Sequence, residues 1–219
     1  MEELNAAVRY IPAIVLGLLP IMNPLSTIPL FLALTKHMPE KEKDHQARMA
    51  CFYAFAILSA FLFLGNAIIA VFGISLAGIR VAGGLIILVL AFRMLFTGET
   101  DASTVDESPD QIKRATLDFS FSPLAMPSLA GPGSIAVVMG YGSQIPGDST
   151  VIGHAIVVVG VAITVMIAYV ALFFSSWIAR ALGEHGIEAV TKVMGFLLAC
   201  VAVQFIASGV REFVVSFGS

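Results

Sequence analysis

The spacing of charges constrains this chain more than any other feature of its sequence. No Asp, Glu, Lys or Arg occurs in Tyr10–Thr35, Met49–Ile79, Phe119–Gly147 or Ser149–Ala179, and Val193–Val210 is a fifth such run. A helix needs about 20 mostly apolar residues to cross roughly 30 Å of hydrocarbon. The first four runs exceed that length and the fifth falls slightly short of it. Twelve more uncharged residues lie between Arg80 and Arg93, and with Ser75–Ile79 before them they form another span, ending near Phe96. Met49–Phe72 and Ser75–Phe96 must be separate helices, because one helix of that length would overshoot any bilayer and Gly73 stands where a turn is needed. The count is six.

Composition agrees with this reading. Of 219 residues, 58% are apolar and 12% charged, whereas an ordinary soluble domain is about a quarter charged. Most of the surface therefore faces lipid. A net charge of −3 leaves no basic footprint for nucleic acid, and the apolar fraction excludes disorder. Cys51 and Cys200, the only cysteines, each sit inside an apolar run, so neither a disulfide framework nor a cysteine zinc site is on offer. The opening MEELNAAVRY is acidic where a signal peptide would be basic, so the first apolar run is expected to be the first span of the mature protein. Short-loop Lys/Arg residues fall nine on one side (Lys36, Lys41, Lys43, Arg48, Arg93, Lys113, Arg114, Arg180, Lys192) and three on the other (Arg9, Arg80, Arg211). The basic side is cytoplasmic, so both termini are expected in the periplasm. The linker Thr97–Asp118 is the one extended polar stretch and reads as a solvated tether between two halves, 1–96 and 119–219.

Those halves repeat. Pro20, Pro24 and Pro29 in the first span align at one offset with Pro123, Pro127 and Pro132 in the fourth. With proline near 5% of residues, three such coincidences arise roughly once in ten thousand offsets. The third and sixth spans agree as well, Arg80-Val-Ala-Gly against Lys192-Val-Met-Gly, each after a Gly-Ile pair. Three spans per half is an odd number, so the second copy enters the membrane inverted. The expected fold is an all-α integral membrane protein of six transmembrane helices in two inverted three-helix repeats, with helices 1 and 4 discontinuous near Pro24–Pro29 and Pro127–Pro132.

Inverted repeats with interrupted helices at matching positions are the signature of a secondary transporter whose site lies near the midplane. Each proline removes a helical hydrogen bond and frees the carbonyl four residues back. Free backbone groups at that depth are tolerated only when buried in protein or lining a wet cavity. Asn23, Pro24, Ser26 and Thr27 cluster at the first break, and Pro127, Ser128, Gly131, Gly133 and Ser134 at the second. These are the expected substrate-binding residues, because half-helix N-termini can hold a carboxylate while carbonyls and hydroxyls hold an ammonium or Na⁺. The alternative is that the prolines only kink packed helices. Arg80 joins the site set because no acid lies at i−4 (Leu76), leaving a lipid headgroup, another helix or an anionic substrate group as partner. Lys192 has Glu188 at i−4.

No catalytic or nucleotide motif is present, so neither an enzyme nor an ATP-driven pump is expected, and no cofactor or structural metal. Ser134 with His154 is the one hydrolase-like pair that can be assembled. Proton coupling has only His154 and Glu188 to work with in the spans. A Na⁺ site built from freed backbone carbonyls with the hydroxyls of Ser26, Thr27, Ser128 or Ser134 needs no buried carboxylate and is favoured over H⁺ as the coupling ion.

The stretches NPLST at Asn23, GIRVAGG and FRMLF around Arg80 and Arg93, PLAMPSLAGPG at Pro123–Gly133 and HGIEAVTKVMGFLL from His185 resemble the MarC family of bacterial inner-membrane proteins. The resemblance runs nearly end to end and is weakest in the linker. It implies a multi-pass protein of the inner membrane related to six-span amino-acid transporters, with small neutral amino acids such as glycine and alanine as partners. Import and export both stay open, as does a homo-oligomer. A passive channel or efflux route for small amphiphilic metabolites is the competing reading.

Overall fold

Asn23-Pro24 ends the first helix midway through its apolar run. In the computed structural model, which describes residues 2–96, 118–143, 145 and 150–217, α1 (Glu2–Met22) and α2 (Pro24–Thr35) meet there at an angle of 43°. Proline disfavours helical backbone in the residue before it, and Asn is among the few residues that enter the left-handed region cheaply. Asn23 does so (φ 39°, ψ 66°), and its side chain accepts from the Ser26 N–H at 3.4 Å as the N-cap of α2. Pro24 takes the first helical position, where its missing N–H is no loss. Pro29 lies inside α2, so this break falls one residue earlier than the proline spacing suggests.

The second copy breaks differently. Met126 aligns with Asn23, precedes Pro127, and lacks Asn's access to the left-handed region and its capping oxygen. It goes extended instead (φ −127°, ψ 122°), as Ser122 does before Pro123 (φ −132°, ψ 126°), leaving Ser120–Leu129 (α5) an irregular wound segment. Regular helix resumes only in α6 (Pro132–Ser143), bent 62° from α5. At Gly131 a Cβ would stand 2.5 Å from the Pro127 carbonyl oxygen, so the return of the chain requires glycine there. The equivalent residue in the first copy is Ile28, fully buried within α2.

In each half the broken span is followed by two long helices. In the first these are α3 (Glu40–Phe72) and α4 (Leu76–Phe96); in the second, α7 (Thr150–Phe173) and α8 (Ser175–Phe217). Gly73, at φ 62°, closes α3 by donating its N–H to Ile69 O, which matches the turn expected there. Gly183, at φ 64°, divides α8 into 175–182 and 184–217. The fifth span therefore ends at Phe173, before Ala179, and the sixth is longer than its charge-free run. Lys192 lies inside it, paired with Glu188 one turn away. Four single helices and two bent pairs satisfy the length and hydropathy of a membrane span, so the fold is all-α and multi-span. Phe63, Leu64, Phe92, Val170, Phe196 and Val203 lie exposed along these helices, as lipid-facing side chains must.

Packing between the halves is reciprocal. α3 rests on α5 and α6, α7 rests on α1 and α2, and α4 lies against α8. A twofold relation between halves requires that exchange. The third and sixth spans run antiparallel: a Cβ at Gly84 would lie 2.9 Å from Ala202 O, one at Gly209 2.8 Å from Ala77 O, and one at Gly195 3.2 Å from Ala91 O. Each glycine thus faces an alanine at seven-residue intervals along both helices, and small residues let the backbones approach closely. Antiparallel third spans are what inverted halves produce.

Arg80 on α4 bonds Glu212 on α8 at 2.7 Å, so its partner is another helix. On α3 and α7, the Tyr169 hydroxyl donates to Asp44 Oδ1 at 2.7 Å. Before α5, the Asp118 carboxylate accepts from both the hydroxyl and the N–H of Ser120, and the hydroxyl bond holds its pKa below the ordinary value. That cap therefore persists above the ordinary carboxylate range and is lost as pH falls through the lowered value. The tether 97–117 lies outside the described residues.

Candidate functional site

The two helix breaks line one cavity of about 380 Å³. That is the small end of the roughly 300–1,000 Å³ typical of ligand pockets. From the first break come Asn23, Ser26 and Thr27; from the second come Pro127, Ser128, Gly131, Gly133 and Ser134. Eight of the ten residues assigned to the site from sequence meet here. Pro24 lies behind this wall as the first residue of α2. Arg80 is a correction: it lies outside the wall, its guanidinium held by Glu212. Sequence spacing missed that pair because the two residues are 132 positions apart.

The third wall is α4, from Ile86 to Met94, a run of about 12 Å along the helix. At one end Ile21, Ile87, Gly133 and Ser134 are buried. A Cβ at Gly133 would meet Ile87 at 2.9 Å and Ile21 at 3.2 Å, so glycine keeps this end open. At the other end Arg93 is exposed in the last turn of α4. The cavity thus reaches the end of α4 from which the chain enters the polar tether.

Most polar groups on the wall are already oriented. Ser26 Oγ donates to Asn23 O at 3.0 Å and Thr27 Oγ1 to the same carbonyl at 3.4 Å. Ser134 Oγ donates to Leu129 O at 3.2 Å. Their protons are committed, so these three hydroxyls face the cavity with lone pairs available. Asn23 Nδ2 points at Met94 Sδ, 3.3 Å away, which ties the first break to α4. Asn23 O and Leu129 O are thereby each capped by hydroxyls of their own break. The Ser134 proton also goes to a backbone carbonyl, and the His154 ring stacks on Phe63 with centroids 5.3 Å apart.

Among the described residues no Asp, Glu, His, Lys, Cys or Tyr lines the cavity, and Arg93 is the one charged residue. Among the described residues no group of His, Cys, Asp or Glu could hold a metal ion. The sequence reading used Arg93 only to orient the protein. A signal was present, since Val89, Leu90, Phe96 and Thr97 at i±3 and i±4 offer it no helical acid.

The profile of the family described as "MarC family integral membrane protein" matches residues 8–214, from the first broken helix to the end of α8. The chain belongs to the MarC family. Among relatives in this family, inner membrane protein MarC of Escherichia coli K12 is 38% identical over 206 residues, and that of Salmonella typhimurium LT2 39% over 209. Each alignment covers 91% of this chain and 93% of the relative. No solved structure matches. The names of these MarC relatives place them in the inner membrane and describe no enzyme. The break geometry and the cavity between the breaks are thus features of a MarC family member in which both broken spans fall within the matched residues.

Proposed function

We propose that this MarC-family protein is a secondary transporter of small neutral amino acids, working by alternating access in the inner membrane. One observation carries the reading: both broken helices contribute to a single small cavity whose wall combines oxygens with one cation. A zwitterion needs both. Counterflow tests the proposal. Liposomes containing the protein and loaded with unlabelled alanine should transiently concentrate labelled alanine or glycine above the equilibrium level. Entry without that overshoot would favour a passive channel, and entry no faster than into empty liposomes would sink both.

The exposed Arg93 end of the cavity lies on the side that the Lys/Arg bias makes cytoplasmic, which supports a cytoplasm-facing arrangement and periplasmic termini. A reporter active only in the cytoplasm should stay silent when fused after Ser219. A fluorescent fusion would reverse the orientation.

The coupling ion follows from the wall. Among the described residues it contains no His, Asp, Glu or Cys, whereas Ser26, Thr27 and Ser134 offer hydroxyl lone pairs. A hard cation takes such oxygens. Replacing Ser26 or Ser134 with Ala should raise the half-saturating Na⁺ concentration about tenfold, because one ligand is lost. Transport that tracks the proton gradient and is indifferent to replacing Na⁺ with choline would rule Na⁺ out.

A further inference from the structure

Arg93 faces the cavity with no ion pair to any described residue. A guanidinium held without a counter-charge beside apolar side chains attracts an anion, and its planar fork matches a carboxylate. Its neighbours on the wall, Leu90 and Met94, supply no acceptor stronger than a thioether. Several of the other groups that might receive an anion are committed. At the N-terminus of α2, Pro24 has no N–H and the Ser26 N–H goes to the Asn23 side chain. The hydroxyl protons of Ser26, Thr27 and Ser134 go to backbone carbonyls. One end of the wall therefore offers positive charge, while the two breaks offer oxygen.

We propose that Arg93 binds the substrate's carboxylate and makes the cavity selective for ligands that carry one. The inference rests on the transport reading and adds an orientation to it. A carboxylate docked at Arg93 sits at the exposed end of the cavity, with the rest of the ligand directed along the α4 wall toward the buried end at Ile21, Ile87 and Gly133. Arg93 has no ion pair with a described residue to lose, so replacing it should not unfold the protein.

The test is transport by wild type, Arg93→Lys and Arg93→Gln in liposomes, with alanine, alaninamide and ethylamine as competitors. Wild type should be inhibited by alanine and be at least tenfold less sensitive to alaninamide and ethylamine, which lack the carboxylate. Arg93→Gln should raise the KM for alanine about 10- to 100-fold, the loss of a hydrogen-bonded charge partner, while its weak response to alaninamide stays as in wild type. Arg93→Lys should fall between, keeping charge without the fork. Melting temperatures of the three proteins in detergent should agree. If wild type shows no counterflow, the transport reading fails. If wild type transports but alaninamide competes as well as alanine, or Arg93→Gln keeps the wild-type KM, the Arg93 assignment alone is overturned.

Discussion

Gly84→Leu is expected to abolish recovery of a monodisperse protein from detergent, and Gly209→Leu to do the same. A Cβ at Gly84 meets Ala202 O at 2.9 Å and the Ile206 N at 3.1 Å; at Gly209 it meets Ala77 O at 2.8 Å. These neighbours are backbone atoms of a packed helix and cannot rotate aside as a side chain can. Overpacking in a tight core costs about 1–3 kcal/mol even where side chains can yield, and here two helices must separate along their whole contact. Because α4 also forms one wall of the cavity, the site would be lost with the fold. Gly140→Ala is the control, since nothing lies within 4 Å of a Cβ there. Size-exclusion profiles and thermal unfolding in the same detergent decide the matter. A well-behaved Gly84→Leu protein with a wild-type melting temperature would show that the antiparallel contact is looser than described.

Asn23→Ala should lower transport at least about tenfold and destabilise the protein by about 2 kcal/mol. Two losses add: a left-handed residue without Asn's local bonding costs about 1–2 kcal/mol, and a lost N-cap about 1 kcal/mol. The carbonyl that orients Ser26 and Thr27 would shift with the backbone, so the defect should appear in alanine affinity as well as in stability. Asn23→Gly separates the effects. Glycine takes the left-handed conformation freely and costs only a few tenths of a kcal/mol as a cap, so this variant should be nearly as stable as wild type. It keeps the Asn23 carbonyl while losing the amide that meets Met94. If Asn23→Ala matches wild type in both melting temperature and transport, the first break does not depend on this residue.

The repeat was legible because proline is rare and acts locally. Pro24 and Pro132 each begin a helix after a break, and the motif Asn-Pro-Leu-Ser contains its own cap, its first helical residue and the Ser26 donor that the cap accepts from. The difference between the breaks was legible in principle too, since Met126 can do none of what Asn23 does. The shared proline offset concealed it. Arg80 and Arg93 show where local reading stops. Both are basic residues in the third span without an acid one turn away, and sequence treats them alike. Glu212 takes one; the other faces the cavity.

Charge spacing determined that the chain lives in a bilayer and set the expected count of spans, and proline spacing marked which two are broken, because hydrocarbon thickness and the missing proline N–H act on consecutive residues. Tertiary structure decided which charge is neutralised, which hydroxyl protons are spent on backbone carbonyls, and that the two breaks and α4 enclose one space. Those outcomes depend on residues tens of positions apart brought together by the antiparallel packing of α4 on α8, and their register is set by glycine facing alanine across two helices, which no local window contains.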